Sequence, residues 1–329
     1  MRARVGIKDV ASAAGVSVAL VSLALNDKPG VSAETRARVL EVAEDLGYRA
    51  NAAARALRLG RSSSYGLIVR NLQNPFFLDV ISGLQEAASA NDASILVMDA
   101  NYSPEREAAY VEQLAARQVA GLAIAPVGPG ESVTTWRRLC PDKPTVVLNA
   151  VCSHIDGAMR VAPDNDAAVA AALEHLAQLG HRRIAFLTAP ASLVADHDRL
   201  ETYLDGCRRL GLDPLPVETP LTLDATEKIT AELLSRAEPP TAVVTNSDFT
   251  VHAVYAAARH LGVRIGADLS VIGHDDLPTS PLLDPPLTTL HLNRRALGEA
   301  VFARLSATGR LDDHIEPVEL RVRASTGPV

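Results

Sequence analysis

The chain has 329 residues, room for two or three domains, and its 47% hydrophobic and 22% charged residues fit an ordered soluble protein and exclude a disordered one. Aromatic residues make up only 4%, which disfavours any mechanism built on many stacking rings. The net charge of −7 argues against a polyanion partner for the chain as a whole, but residues 1–61 carry ten Lys/Arg against six Asp/Glu while the remainder carries 22 against 33, so a basic module precedes an acidic body.

In chain order, Ile7, Val10, Ala11 and Ala14 recur at helical spacing until Gly15 breaks the pattern. Residues 18–25 form a second short, apolar-rich helix, and Asn26-Asp27-Lys28-Pro29-Gly30 is a loop by composition. Ser32 is a good N-cap for a third helix, with Glu34 in the first turn where the helix dipole favours an anion. Val39, Val42, Ala43 and Leu46 give that helix a stripe to bury, and Gly47 ends it. A glycine turn between two short helices in a basic segment fits a helix-turn-helix, whose second helix enters the major groove of DNA. The same spacing also fits a plain structural three-helix bundle. Residues 50–60 are short, alanine-rich and basic, a marginal helix that needs a partner to fold.

From Tyr65 the rhythm changes. Short apolar runs at 66–69, 94–98, 121–125, 145–148, 183–188, 241–245 and 269–273 alternate with helical patterning at 76–90, 104–118, 165–179, 195–210, 225–236 and 249–261. That alternation predicts right-handed βαβ units and parallel sheets with helices on both faces. So many units exceed one typical sheet, which predicts two sheets in two lobes. Open sheets of this kind bind ligands at the carboxyl ends of their strands, and a cleft between lobes is a usual small-molecule site.

No signal peptide is expected, because Lys8 and Asp9 put charge where an apolar segment should follow the basic start. No run approaches the length needed to span a bilayer. Cys140, Cys152 and Cys207 are odd in number and lack metal-ligand spacing, so reduced thiols in the cytoplasm are expected, with no metal and no cofactor.

Specific motifs then narrow the reading. Ile7-Lys8-Asp9-Val10-Ala11, Ala14-Gly15-Val16-Ser17, Glu34-Thr35-Arg36 and Leu46-Gly47-Tyr48-Arg49 resemble the head of the lactose-repressor (LacI/GalR) family. Asn51 followed by Ala54-Arg55-Ala56-Leu57 resembles its hinge. Asn74-Pro75-Phe76-Phe77, Asp164-Asn165, Gly180-His181-Arg182-Arg183, Gly273 with Asp275-Asp276, Pro286-Leu287-Thr288-Thr289 and Arg323-Ala324-Ser325-Thr326 continue the resemblance along essentially the whole chain. It implies an all-α helix-turn-helix head at 1–50, a short hinge helix at 51–61, and a two-lobed, periplasmic-binding-protein-like α/β body with parallel sheets at 62–329. The implied function is that of a transcriptional regulator, a repressor, bound to double-stranded operator DNA and controlled by a small polar effector such as a sugar.

The resemblance also implies residue roles. Ser17, Ser22, Asn26 and Ser32 match phosphate-contacting positions, which fix register without reading sequence. Val18, Ala19 and Leu23 match base-reading positions, with Leu23 where the family usually has Arg and Leu20 where it usually has Thr. Such side chains cannot make bidentate hydrogen bonds to G or A. They either pack on thymine methyls or exclude bases sterically, or else they are ordinary helix residues and specificity lies elsewhere. In the hinge, Asn51, Ala54, Arg55 and Leu57 match DNA-contacting positions, Leu57 being the minor-groove wedge, and Ala50 replaces the usual Pro. In the body, Phe76, Asp164, Arg199, Asn246 and Asp275 match effector-binding positions. Asp248 and Asp276 fit capping or loop roles as well as ligand roles. His274 stands where an aromatic ring is usual, Leu223 lies near where some members carry a stacking Trp, and Trp136 reads as a packing residue.

Paired heads would match a palindromic operator, and the absence of a leucine-heptad tail in 310–329 suggests a homodimer. Three other classes compete. An enzyme is disfavoured because no phosphate loop, nucleophile elbow or metal cluster appears. An exported sugar-binding protein conflicts with the head. A regulator controlled chiefly by a protein partner, with a vestigial effector site, remains the alternative.

Overall fold

The computed structural model describes residues 5–25, 28–48, 63–150, 155–190, 193 and 197–329, in two compact units that divide between Ser62 and Ser63. Asn26, Asn51, Ala54, Arg55 and Leu57, with the whole expected hinge helix, lie outside the described residues.

The first unit packs three helices, α1 (Ile7–Ala14), α2 (Val18–Leu25) and α3 (Ala33–Asp45), around Val10, Ala11, Ala14, Val21, Ala24, Val39 and Ala43. Gly15 closes α1 at φ +66°, a left-handed conformation that costs glycine nothing, and the chain turns 102° into α2. That bend falls within the range of a helix-turn-helix. Ser17 Oγ accepts from the Leu20 amide at 3.2 Å at the start of α2, and Ser32 Oγ caps α3 by accepting from Thr35. The carboxyl end of α2 is closed by Arg36, whose guanidinium donates to the Ala24 carbonyl at 2.9 Å and the Lys28 carbonyl at 2.7 Å. Leu46 departs from expectation. It follows the last helical residue of α3 and so leaves the buried stripe, with 37% of its surface exposed.

The second unit holds two six-stranded sheets. The first contains β1 (Ser64–Val69), β2 (Ser94–Asp99), β3 (Leu122–Ile124), β4 (Thr145–Leu148) and β5 (Met159–Pro163), with helices α4 (Phe76–Ser89), α5 (Pro104–Ala116) and α6 (Glu131–Leu139) between them. The second contains β6 (Arg183–Thr188), β7 (Asp213–Glu218), β8 (Ala242–Thr245), β9 (Ser270–Asp275) and β10 (Thr288–His291), with α7 (Asn165–Gln178), α8 (His197–Leu210), α9 (Leu223–Leu234) and α10 (Asp248–Leu261). The chain then returns through α11 (Arg294–Ser306) and β11 (His314–Glu316) to the first sheet, and through β12 (Glu319–Arg321) to the second. Strand orders are β11-β5-β4-β3-β1-β2 and β12-β10-β9-β8-β6-β7, and every pairing is parallel except β10 with β12. Three chain crossings, after β5, β10 and β11, therefore join the two lobes.

Strand β7 reads Asp-Pro-Leu-Pro-Val-Glu, and two prolines argue against a central strand. It sits at the edge of its sheet, where a missing N–H is tolerated. The Tyr203 hydroxyl is inserted where it joins β6, donating to the Ile184 carbonyl at 2.7 Å and accepting from the Leu215 amide at 2.6 Å. Burial raises the phenol above its ordinary range, so it stays protonated and able to donate. Tyr203→Phe leaves both backbone groups without that partner. A cost of about 2 kcal/mol is expected, read as a lower urea midpoint at unchanged slope.

No single helix among the described residues is long and apolar enough to cross a membrane.

Candidate functional site

The two lobes face each other across a cleft at the carboxyl ends of their strands, where open α/β sheets place ligands. Arg70 follows β1, Asn149 follows β4, Asn246 follows β8 and Asp275 ends β9, and all four side chains line the cleft. Phe76 and Phe77 open α4, their rings meeting edge to face at 5.1 Å between centroids, and supply an apolar wall. Tyr102, Leu221, Phe249 and Thr250 complete much of the lining, which leaves about 500 Å³ free of protein atoms, mouth included.

Four lining residues hold left-handed backbone despite their side chains: Asn149 at φ +49°, Tyr102 at +55°, Leu221 at +60° and Asp275 at +116°. Each such conformation costs of order 1–3 kcal/mol and persists only where its surroundings enforce it, and this kind of strain gathers at ligand clamps.

Arg199 is 4% exposed. Its Nε donates to Asn165 Oδ1 at 2.9 Å and its Nη1 to the Asn246 carbonyl at 2.6 Å. Asn165 Nδ2 in turn donates to Asp198 Oδ2 at 2.8 Å. The guanidinium is thus held in one orientation from α7, α8 and the end of β8. A planar fork fixed in this way suits vicinal hydroxyls or a carboxylate. His274 lies under this charge, fully buried. Burial first, and the Arg199 charge second, hold its imidazole well below the ordinary range, so it is neutral.

Of the five candidate effector residues, Phe76, Arg199, Asn246 and Asp275 meet in the cleft. Asp164 is not among the lining residues. Its Oδ1 accepts from the Ala167 amide at 3.0 Å and caps α7. Asp248 and Asp276 bond within the protein. Asp248 accepts from Ser280 Oγ, from Thr289 Oγ1 at 2.7 Å and from the Leu277 amide at 3.0 Å, and so ties down the loop after β9. Asp276 pairs with His291, Arg321 and Arg323. Leu223 begins α9 and is 37% exposed, while Trp136 is buried with Nε1 donating to Thr145 Oγ1 at 3.1 Å. Sequence reasoning missed Arg70, Asn149 and Tyr102. Their signal was position: Arg70 and Asn149 directly follow apolar runs that end at the cleft.

In the head, Ser17, Val18 and Ala19 are exposed, and Ser22 and Leu23 are half-buried. Ser32 is exposed at the start of α3.

Burial pushes the Asp248 carboxyl up to about 6, against the opposing pull of its three donors. A folded pKa above the unfolded one means that the folded state keeps its proton longer as pH rises, so stability falls between about pH 4 and pH 6. A rise of about two units corresponds to about 3 kcal/mol. Urea unfolding across pH 4–7 is expected to show this slope, and Asp248→Asn, which cannot ionise, to lack it.

Residues 6–51 match the family described as bacterial regulatory proteins, lacI family, and residues 62–320 match periplasmic binding proteins and sugar binding domain of LacI family. The HTH-type transcriptional repressor CytR of Escherichia coli K12 is 31% identical over 296 residues, covering 89% of this chain and 86% of that protein. The HTH-type transcriptional regulator MalR of Streptomyces coelicolor is 32% identical over 338 residues, covering 97% and 96%. Among solved structures, the lac repressor dimer bound to operator and the anti-inducer ONPF superposes with a TM-score of 0.89 at 28% identity, over 99% of this chain and 100% of that one. These relatives are transcriptional regulators.

Proposed function

This chain belongs to the LacI family of bacterial regulatory proteins, and we propose that it is a repressor whose hold on operator DNA is set by a small polar effector bound in the cleft between its lobes. The observation that carries this reading is the convergence of Arg199, Asn246, Asp275 and Phe76 on one cleft, in a chain that begins with a helix-turn-helix. Fixed donors and acceptors beside an apolar wall are what a sugar or related polyol needs. We assign the head to 1–50, the hinge to 51–61 and the effector body to 62–329. The regulator acts as a cytoplasmic homodimer on a palindromic operator and is not an enzyme. Ser17, Ser22, Asn26 and Ser32 would meet phosphates, Asn51, Ala54, Arg55 and Leu57 the hinge contacts.

The mechanism follows from linkage. Lobes joined by three crossings change their mutual angle when a ligand bridges them. If that angle sets the placement of paired heads, effector and operator affinities are coupled, each changing the other by the same factor.

A thermal-shift panel of sugars and polyols tests the cleft. A ligand at about 100 times its Kd adds about 2.7 kcal/mol, or a shift of about 5 °C for a domain of this size. Arg199→Met is expected to abolish that saturable shift while keeping a cooperative transition. A ligand that shifts both chains equally does not occupy this cleft.

A further inference from the structure

Helix α2 is the second helix of the helix-turn-helix, and the inference here rests on that DNA-binding reading. Its inner face is fixed by Val21 and Ala24, both buried in the head core. At 100° per residue, Ala19, Ser22 and Leu23 then point away from the core, with Val18 at the amino-terminal end where such helices meet base edges. Val18 is 39% exposed and Ala19 is exposed. The eight residues of α2 include no Arg, Lys, Asn, Gln, Asp or Glu, and Ser22 is their one polar side chain. Arg36, a nearby cation, is turned onto the Ala24 carbonyl at the end of α2 and the Lys28 carbonyl beyond it.

We infer that α2 reads thymine C5-methyl groups in the operator half-site. The major-groove edges of guanine, adenine and cytosine offer hydrogen-bonding atoms, and thymine alone adds an apolar group. A face made of valine, alanine and leucine methyls gains by covering that group. Set against guanine, Val18, Ala19 and Leu23 desolvate two acceptors and return no donor, a cost a buried polar group bears in full. The bases under α2 are therefore A·T pairs with thymine methyls toward Val18, Ala19 and Leu23, and guanine is excluded there. The head takes its affinity from phosphates and its identity from shape and methyl contact.

The test uses the full-length protein and its own selected site. A random double-stranded pool is enriched on the protein, and each thymine of the enriched site is then replaced singly by deoxyuridine, which deletes only the methyl. At the positions under α2, each replacement is expected to weaken binding about 4-fold, the equivalent of about 0.8 kcal/mol for one buried methylene-sized group. Replacements outside that footprint are expected to be neutral. Ala19→Gln, at an exposed position, marks the footprint by shifting one preference to adenine, and Leu23→Arg by shifting one to guanine. Enriched half-sites with guanine under α2, or deoxyuridine neutral throughout a specific site, overturn the inference and leave the DNA-binding reading intact. A pool that yields no enriched sequence overturns both.

Discussion

Gly298→Ala is expected to cost at least about 3 kcal/mol, and Gly298→Val to remove the cooperative unfolding of the body, because the backbones of α4 and α11 touch there. A Cβ on Gly298 would overlap the Val80 carbonyl oxygen and stand 2.6 Å from the Leu84 nitrogen. Across the contact, a Cβ on Gly83 would overlap the Arg295 carbonyl oxygen and stand 2.9 Å from its carbon. Neither obstacle is a side chain that can rotate away. Glycine inside a helix ordinarily costs about 0.5–1 kcal/mol relative to alanine, so substitution gains that much in the helix and loses far more at the crossing. The helices must separate, and Val80, Leu84, Leu297 and Val301 lose their packing together. Because α4 also carries Phe76 and Phe77, the cleft wall moves with it. Urea midpoints check the prediction, with Gly309→Ala as control, since a Cβ there meets nothing within 4 Å.

The elements that could be read from sequence share one property, continuous burial. The runs that became β4 and β6 are almost wholly buried, so their composition announces them. Strand β7 was hidden by Pro214 and Pro216, which an edge position tolerates, and the Tyr203 hydroxyl that serves its Leu215 amide comes from α8, far from any local signal. Helix α11 was hidden differently. It begins Arg-Arg-Ala-Leu-Gly, with charge and a glycine where an amphipathic stripe is sought, yet Arg294, Leu297, Gly298 and Val301 are all buried. Its fit depends on Gly83, more than 200 residues earlier in the chain. The same limit applies at the cleft. Phe76, Arg199, Asn246 and Asp275 came from motif resemblance, whereas Arg70 and Asn149 carried only the signal of following an apolar run, and it is strand order, with β1 and β4 on either side of β3, that brings them together in the cleft. Asp164 shows the converse. A carboxylate at the start of a helix satisfies the first-turn amides whatever else it does, and here its Oδ1 is on Ala167.

Arg294→Met is expected to separate effector binding from its effect on DNA. Arg294 is 8% exposed and begins α11 at the second lobe crossing. Its Nε and Nη2 donate to Asp79 Oδ2 on α4 at 3.0 and 2.7 Å. Its Nη1 donates to the Asp275 carbonyl and, at 3.2 Å, to that of Asp276. One side chain therefore ties α4 of the first lobe to the strained end of β9 in the second, the residue whose side chain faces the cleft. Removing it strands a carboxylate and two carbonyls. Breaking a fully buried pair costs 3–5 kcal/mol, and with Asp79 36% exposed the expectation here is about 2–3 kcal/mol. Arg294→Lys keeps the charge but not the planar fork and recovers only part of this. The functional effect follows from where the strut ends. The Asp275 side chain and Arg199 are untouched, so effector still binds, but its contact at β9 no longer bears on α4. Coupling between sites amounts to 1–3 kcal/mol in typical allosteric proteins, 5–150-fold in affinity. Operator affinity with and without saturating effector is expected to differ by that factor in the parent chain and to converge towards equality in Arg294→Met. A variant that binds effector and retains the full ratio would place the coupling elsewhere in the hinge crossings.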